Sequence, residues 1–518
     1  MSLIALTLGL LAACHPTDCG PGTHLEDGVC VLDEDADADT DTDADTDADT
    51  DADNDSDSDA DTDTDTDLPE DPCHNGPAIQ VDPAGQDVAG CGNDITPCRT
   101  LRYALSEADA GEAVCAFPGT YVENWLAVPS GVWLVGLEGP SATAIYSQSW
   151  SAVRFDGVER AGVQGFEIYG DWGQGAAGDG LVRVLDADRI VLRDLVVHDA
   201  PYDQDCVKVS GQIHDLLIER VVAWNPGPRT TAGTFQENID VYGSGGAEGE
   251  PPPVGDVTIR GCWLFHTPTI GDWLIYSKIN AENILYEGNV FGPSAGLGYG
   301  NAAVGIGTGE AGEPDATAAV VQHAIVRNNV FVGLKGDAAL AVMNAEDTWV
   351  YANTFYGNSG DDLRSVLMLR GNTHPLGATL VAGNLFLDNV PTKGGYGTFL
   401  WLRDPLPDAW TFERNLFSGN TAASDVPYTG EPASVYERDP LLAAPAVPSV
   451  AEPSVARIAE IQAWFTLGAG SPAEGAGVDI VGLAGHPDWH PGRTDVREDM
   501  QGDPRAEGGA WDLGADER

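Results

Sequence analysis

The chain has 518 residues, with 82 Asp and Glu against 25 Lys and Arg, for a formal net charge of -57. Such an excess repels phosphate backbones and anionic headgroups, which excludes nucleic acid as a partner. An acidic polysaccharide is repelled as well, unless a divalent cation bridges the like charges.

Met1 to Ala13 form a short apolar run that ends Leu11-Ala12-Ala13-Cys14. This resembles a bacterial lipoprotein signal, in which residues 1–13 are removed and Cys14 carries the lipid. The resemblance implies a membrane partner through an N-terminal lipid anchor, and an outer membrane lipoprotein, periplasmic or surface-exposed. An ordinary secretory signal cleaved nearby is the alternative. In residues 14–32, Cys19 and Cys30 are expected to close a small loop. From Asp33 to Asp67 every second residue is Asp. Like charges at that density, with no apolar surface to bury, predict an extended disordered stalk over 33–71, with a reach of roughly 100 Å.

Eight of the nine cysteines remain when Cys14 is set aside for lipidation, in an exported chain where disulfides persist. Cys73, Cys91, Cys98 and Cys115 are expected to pair among themselves, with three connectivities open. Cys206 and Cys262 fall at different corners of the repeat described below and are expected as buried thiols. No C-x-x-C pair has zinc spacing, so no zinc is expected.

Residues 72–131 predict an N-terminal cap and a first coil. Within them Leu101, Ala104, Leu105 and Ala108 share one face of a helix over Thr100–Ala108. The main body, 132–420, carries a repeat: Asn289-Val-Phe291, Asn329-Val-Phe331, Asn353-Thr-Phe355, Asn384-Leu-Phe386 and Asn415-Leu-Phe417, each after a short apolar strand. The spacing wanders from 24 to 40 residues while the core of the repeat stays fixed. That pattern belongs to a solenoid with loops inserted on one side. Short alternating β-branched and aromatic runs make the units strands. The expected fold is all-β, a single-stranded right-handed parallel β-helix of roughly ten coils, with a short cap helix. Stacked about 4.8 Å apart, identical residues line up in ladders. Upstream the same ladder runs through Cys262, Val221, Leu195 and Phe166, then Leu264, Ala223, Val197 and Ile168. Residues 421–518 form the other cap and a tail, whose Arg505 and Asp512 to Glu517 are expected to pin it by ion pairs.

Charge concentrates on three successive coils: Asp203-Gln-Asp205-Cys-Val-Lys208, Gln236-Glu237-Asn-Ile-Asp240-Val-Tyr242 and Asp272-Trp273-Leu-Ile-Tyr276-Ser-Lys278. The corresponding strands further along are neutral. Carboxylates stacked on neighbouring coils repel unless a cation joins them, and an all-oxygen set suits calcium. A cation on a substrate carboxylate acidifies the adjacent carbon, and a Lys beside it can take the proton.

The order Asp, acidic cluster ending in Asp, then Lys resembles the family-nine polysaccharide lyases, calcium-dependent pectate lyases on this fold. The resemblance implies Asp205, Glu237 and Asp240 as calcium ligands and Lys278 as catalytic base. Gln236-Glu237 stands where that family has paired Asp, and Leu-Ile-Tyr-Ser replaces its Gly-rich surround of the Lys. Tyr276-Ser-Lys-Ile-Asn resembles family-six lyases, but Ala302-Ala-Val-Gly-Ile-Gly supplies no partner Arg. The Asp-Asp and Gly-His-Gly motifs of polygalacturonases are absent. Lys208, Tyr242, Trp273 and Tyr276 are assigned to substrate binding. His198, His214 and His266 lie near coil corners, where a hydrogen-bonded structural role is expected. The chain is thus expected to be a monomer with a polysaccharide partner, acting by calcium-assisted lysis; the alternative is a non-catalytic glycan-binding or structural surface protein.

Overall fold

The structure, a computed structural model, describes residues 23–26 and 29–32 and most of 72–518. Within 72–518 it leaves out 175–178, 229–235, 244–253, 268–272, 295–301, 308–320, 361–362, 372–378, 393–396, 404–409, 422–433, 437, 482, 484–496 and 506–507. Cys14, Cys19 and the Asp-rich tract lie outside the described residues. The chain divides into two compact units, Met1–Thr62 and Asp63–Arg518. In the first, Thr23–Glu26 pairs antiparallel with Val29–Leu32. No helix among the described residues is long and apolar enough to cross a membrane.

The second unit is a right-handed parallel β-helix. Ten coils run from Trp133–Gly136 to Leu416–Ser418, and every strand pairing along them is parallel. The strands make three faces. The site face carries Val153–Asp156, the start of Gly180–Arg193, the start of Asp205–Glu219, Ile239–Tyr242, Ile275–Ser277 and Ala302–Ile306. Alternation explains their geometry: Val153, Phe155, Val182, Val184, Val207, Val209, Ile239 and Val241 point inward and are fully buried, while the residues between them face out.

The expected Asn ladder is present. Asn289 Nδ2 donates to Asn329 Oδ1 at 2.9 Å, Asn329 to Asn353 at 2.9 Å, Asn353 to Asn384 at 3.0 Å and Asn384 to Asn415 at 3.0 Å. Each Oδ1 also accepts the main-chain N–H of the Asn before it, so a sharp buried turn leaves few polar atoms unpaired. The phenylalanines two residues on stack inside, with Phe331, Phe355 and Phe386 centroids 4.3 and 4.7 Å apart. A second ladder, Asn358–Asn389–Asn420, closes the next turn; its mark in the sequence is an Asn five residues after each of Asn353, Asn384 and Asn415. Upstream, Leu264, Ala223, Val197 and Ile168 share one register as expected.

On the second face, charge alternates from coil to coil in register: Arg193, Glu219, Arg260, Glu287, Arg327. Glu219 is bridged by Arg193 at 2.7 Å and by Arg260 at 2.8 Å, and Arg327 meets Glu287 at 2.5 Å.

The N-terminal end is covered. Helix Leu101–Glu107 buries Leu101, Ala104 and Leu105, as its spacing predicts. Its free N–H groups find acceptors: Thr100 Oγ takes Tyr103 N, and the Glu123 carboxylate takes Leu101 N and Arg102 N. The cap cysteines pair as Cys73–Cys115 and Cys91–Cys98, and Cys206 and Cys262 are buried thiols. The C-terminal tail, expected as the other cap, instead lies along the outside of the middle coils: helix Ala456–Ala463 packs Ile458 and Ile461 onto Trp263, Val290 and Val330. Ile480 and Trp511 cover Leu285, Ile325, Trp349 and Leu380. Buried Arg505 pins this tail, donating to Glu517 at 2.8 Å and to Asn328 Oδ1 at 3.2 Å.

Replacing Asn353 with Ala strands buried donors and acceptors on two neighbouring coils. It is expected to cost about 3 kcal/mol or more in denaturant unfolding. Phe355→Ala, which removes a fully buried ring, is expected to cost about 3–5 kcal/mol.

Candidate active site on three successive coils

Stacking the three charged coils brings their side chains to one place. Asp205 opens its strand, Glu237 precedes Ile239–Tyr242, and Lys278 follows Ile275–Ser277. On the outward row Lys208 lies in register with Asp240, and Asp240 with Tyr276. The backbone fixes the acids. Glu237 N donates to Asp205 Oδ1 at 2.8 Å, and Asn238 Nδ2 ties Ala223 O and Phe265 O across neighbouring coils at 2.9 and 3.0 Å. Asn238 is a positioning residue that sequence reasoning missed; it sits between two assigned acids but outside the Asn-x-Phe pattern.

Oxygen atoms of Asp205, Glu237 and Asp240 lie within 4.8 Å of one another, and all three side chains are buried. Lys278 Nζ is 3.1 Å from Glu237 Oε1 and 3.0 Å from Asp240 Oδ2. Lys208 Nζ bonds the same Asp240 oxygen and lies 3.5 Å from Asp205 Oδ2. Three carboxylates and two ammonium groups leave one negative charge in excess. Burial pushes the Asp205 carboxyl well up; Lys208 opposes this, and Glu237 and Asp240 add to it. Burial also acts to raise Asp240, but Lys278 and Lys208 outweigh it and hold that carboxyl low. Lys278 shows the reverse balance: burial disfavours its charge, but Asp240, Glu237 and Asp205 raise its pKa. In this arrangement Lys278 is an ammonium ion.

The donor set fits a hard divalent cation. Ligand bonds of about 2.3–2.6 Å let one ion span oxygens roughly 5 Å apart. Glu237 Oε2 and Asp240 Oδ1 are buried with no hydrogen-bond donor, and Asp205 Oδ2 has only Lys208 Nζ, at 3.5 Å. Such oxygens are costly unless something positive reaches them.

The aromatic residues divide. Tyr242 and Tyr276 are half-buried, with Lys208 Nζ 5.4 Å and Lys278 Nζ 5.1 Å from their rings. Trp273 is 6% exposed and stacks on Tyr276 at 4.2 Å. Its ring crosses Gly305, where any Cβ would strike it. Trp273 therefore supports Tyr276 from beneath, with its own faces taken. Of the histidines, His198 bonds Asp199 at 2.8 Å and Glu167 at 3.1 Å, in a structural role. His266 is fully buried, which holds its pKa down to about 3 and the ring neutral.

No family model matches the chain, and no curated protein matches it. Among solved structures, pectate lyase Pel9A superposes with a TM-score of 0.50 at 13% identity, over 85% of this chain and 96% of that one. A rhamnogalacturonan lyase aligns with a TM-score of 0.42 at 14% identity, over 66% of this chain and 87% of its own. An alginate lyase from Paenibacillus sp. str. FPU-7 aligns at 0.38 and 13% identity, over 65% of this chain and 94% of its own. At 13% identity, the likeness to Pel9A is one of fold: both chains are parallel β-helices.

Asp240→Asn removes the carboxylate shared by two ammonium groups. It is expected to destabilise the domain by about 3 kcal/mol, read from the denaturant midpoint.

Proposed function

We propose that this β-helix is a polysaccharide lyase that cleaves a uronate polymer by β-elimination, with calcium held by Asp205, Glu237 and Asp240. The observation that carries the reading is the convergence of those carboxylates with Lys278 in one buried cluster. The named activity of Pel9A agrees with it. A divalent cation there would bridge the acidic wall to a substrate carboxylate and draw charge from it, acidifying the neighbouring carbon.

The chain's own residues supply the rest. Lys278 cannot act as a base while Asp240 and Glu237 hold it protonated. Once those carboxylates have another positive partner, the ammonium loses the charges that raise its pKa, and the neutral amine becomes accessible. Lys278 Nζ then takes the proton from the carbon beside the uronate carboxyl group. The electron pair left behind forms a carbon–carbon double bond, the bond to the glycosidic oxygen breaks, and that oxygen leaves with a proton from water. Lys208, on the rim, faces the substrate carboxylate, and Tyr276 offers its outer side to a sugar ring.

The test uses galacturonate, guluronate and mannuronate polymers with and without calcium. The expected product carries a conjugated double bond seen in the ultraviolet, and chelation abolishes it. Lys278→Ala is expected to slow the reaction by about a thousandfold while leaving the circular dichroism unchanged. Glycan binding that persists without calcium, with no unsaturated product from any polymer, would instead establish a binding protein.

We also propose that the lipid on Cys14 holds the protein at the outer membrane, with the Asp-rich tract as spacer. Cys14→Ser is expected to move the protein from the membrane to the soluble fraction. A wild type already soluble and free of acyl chains by mass spectrometry would contradict this.

A further inference from the structure

The outward row that holds Lys208 and Asp240 continues past the acidic cluster toward the N-terminal cap. In register it reads Ala127, Arg154, Arg183, Lys208, Asp240. Three cations on consecutive coils stand out in a chain of net charge -57. Arg154 and Arg183 share Asp156, and Arg183 also meets Asp179 at 2.7 Å. Even so, Arg154 Nε has no hydrogen-bond partner, and Arg183 Nε has only the Asp156 carboxylate, at 3.5 Å.

Beside this row lie exposed indoles. Among the described residues the exposed tryptophans are Trp125, Trp150 and Trp172, at 37%, 42% and 39%. All three lie in the turn that leads into a site-face strand, on coils N-terminal to the acidic cluster. The Trp125 and Trp150 ring centroids are 5.5 Å apart, and the Arg154 guanidinium lies 4.1 Å over Trp125. The pair is held in place. Trp125 N donates to Ser151 O at 2.7 Å, and buried Ser147 Oγ reaches Asn124 Oδ1 at 2.7 Å and Trp150 O at 2.9 Å.

We infer that Trp125, Trp150, Arg154 and Arg183 form a binding track for an acidic glycan chain, running from the acidic cluster toward the N-terminal cap. This rests on the uronate reading of the cluster and adds a direction and a length to it. Three coils span about 14 Å, room for about three further sugar residues. Trp150, and the part of Trp125 that Arg154 leaves open, take the apolar faces of sugar rings, and the guanidinium groups take the sugar carboxylates in exchange for Asp156 and Asp179.

The experiment measures binding of galacturonate, guluronate and mannuronate oligomers of graded length to the full chain carrying Lys278→Ala, with calcium, by calorimetry. Affinity is expected to climb with length until the track is filled. The Trp125→Ala/Trp150→Ala pair is expected to weaken the long oligomers by about tenfold or more and leave the shortest unchanged. Trp→Phe at both positions is expected to restore most of the loss, which separates stacking from misfolding. In the otherwise wild-type chain the Ala pair is expected to raise KM for polymer without lowering kcat. Cleavage that continues with affinity unaltered at every length would overturn the track and leave the lyase reading standing. Length-dependent binding that needs the tryptophans, without cleavage of any polymer, would overturn the lyase reading and leave the track. No binding by any oligomer overturns both.

Discussion

In-register stacking is the constraint on which everything else rests. Each coil places a residue directly on its counterpart about 4.8 Å away, so every position must tolerate a copy of itself or a complement. Asn tolerates a copy because it carries both a donor and an acceptor, and Phe because offset rings attract. Charge does not, and the second face solves this by alternation from Arg193 through Glu219, Arg260 and Glu287 to Arg327. The site face departs from that rule. Arg154, Arg183 and Lys208 put like on like, and three carboxylates crowd together on the coil of Lys208 and the one after it.

Such a departure has to be balanced from outside the ladder, and sites that break the local rule are where function is expected. Two lysines offset two of the three negative charges; the third is unmatched, and burial beside the neighbouring acids pushes the Asp205 carboxyl well up, so that without an ion a proton competes for that place. The excess charge and the orphaned oxygens therefore call for the same thing, a small hard cation. The lysines are the occupants that such a cation would displace. On the proposed lyase reading, this would couple the occupancy of the carboxylates to the protonation of Lys278, releasing a base only where the acidic wall has been neutralised.

The fold was legible because its repeat is carried by residues with one physical job. Asn at a buried turn and Phe two residues later leave little choice of architecture, and they ran through Asn289, Asn329, Asn353, Asn384 and Asn415. Residues Asp205, Glu237, Asp240 and Lys278 were legible as a group because charge at those strands stops abruptly in the next coil. The rest was hidden for identifiable reasons. Trp273 reads as a sugar platform in sequence, but its ring lies over Gly305 on the next coil and is covered there by Tyr276. Asn238 lies off the ladder, and its partners are carbonyl groups that no side-chain pattern reveals. Arg154 and Arg183 do have a signal, in Val-Arg-Phe, Val-Arg-Val, Val-Lys-Val and Ile-Asp-Val at the same strand position. It is three residues long, and only the register of the coils makes it a row.

The central claim is that Asp205, Glu237 and Asp240 together form a divalent-cation site. Bulk titration with calcium would mix this site with the Asp-rich tract, so the direct measurement is a crystal structure of the β-helix grown with calcium, using anomalous scattering to place the ion. The account predicts one peak about 2.3–2.6 Å from an oxygen of each carboxylate, with Lys278 Nζ displaced from Asp240. No peak there, with both lysines still paired to Asp240 at saturating calcium, would contradict it.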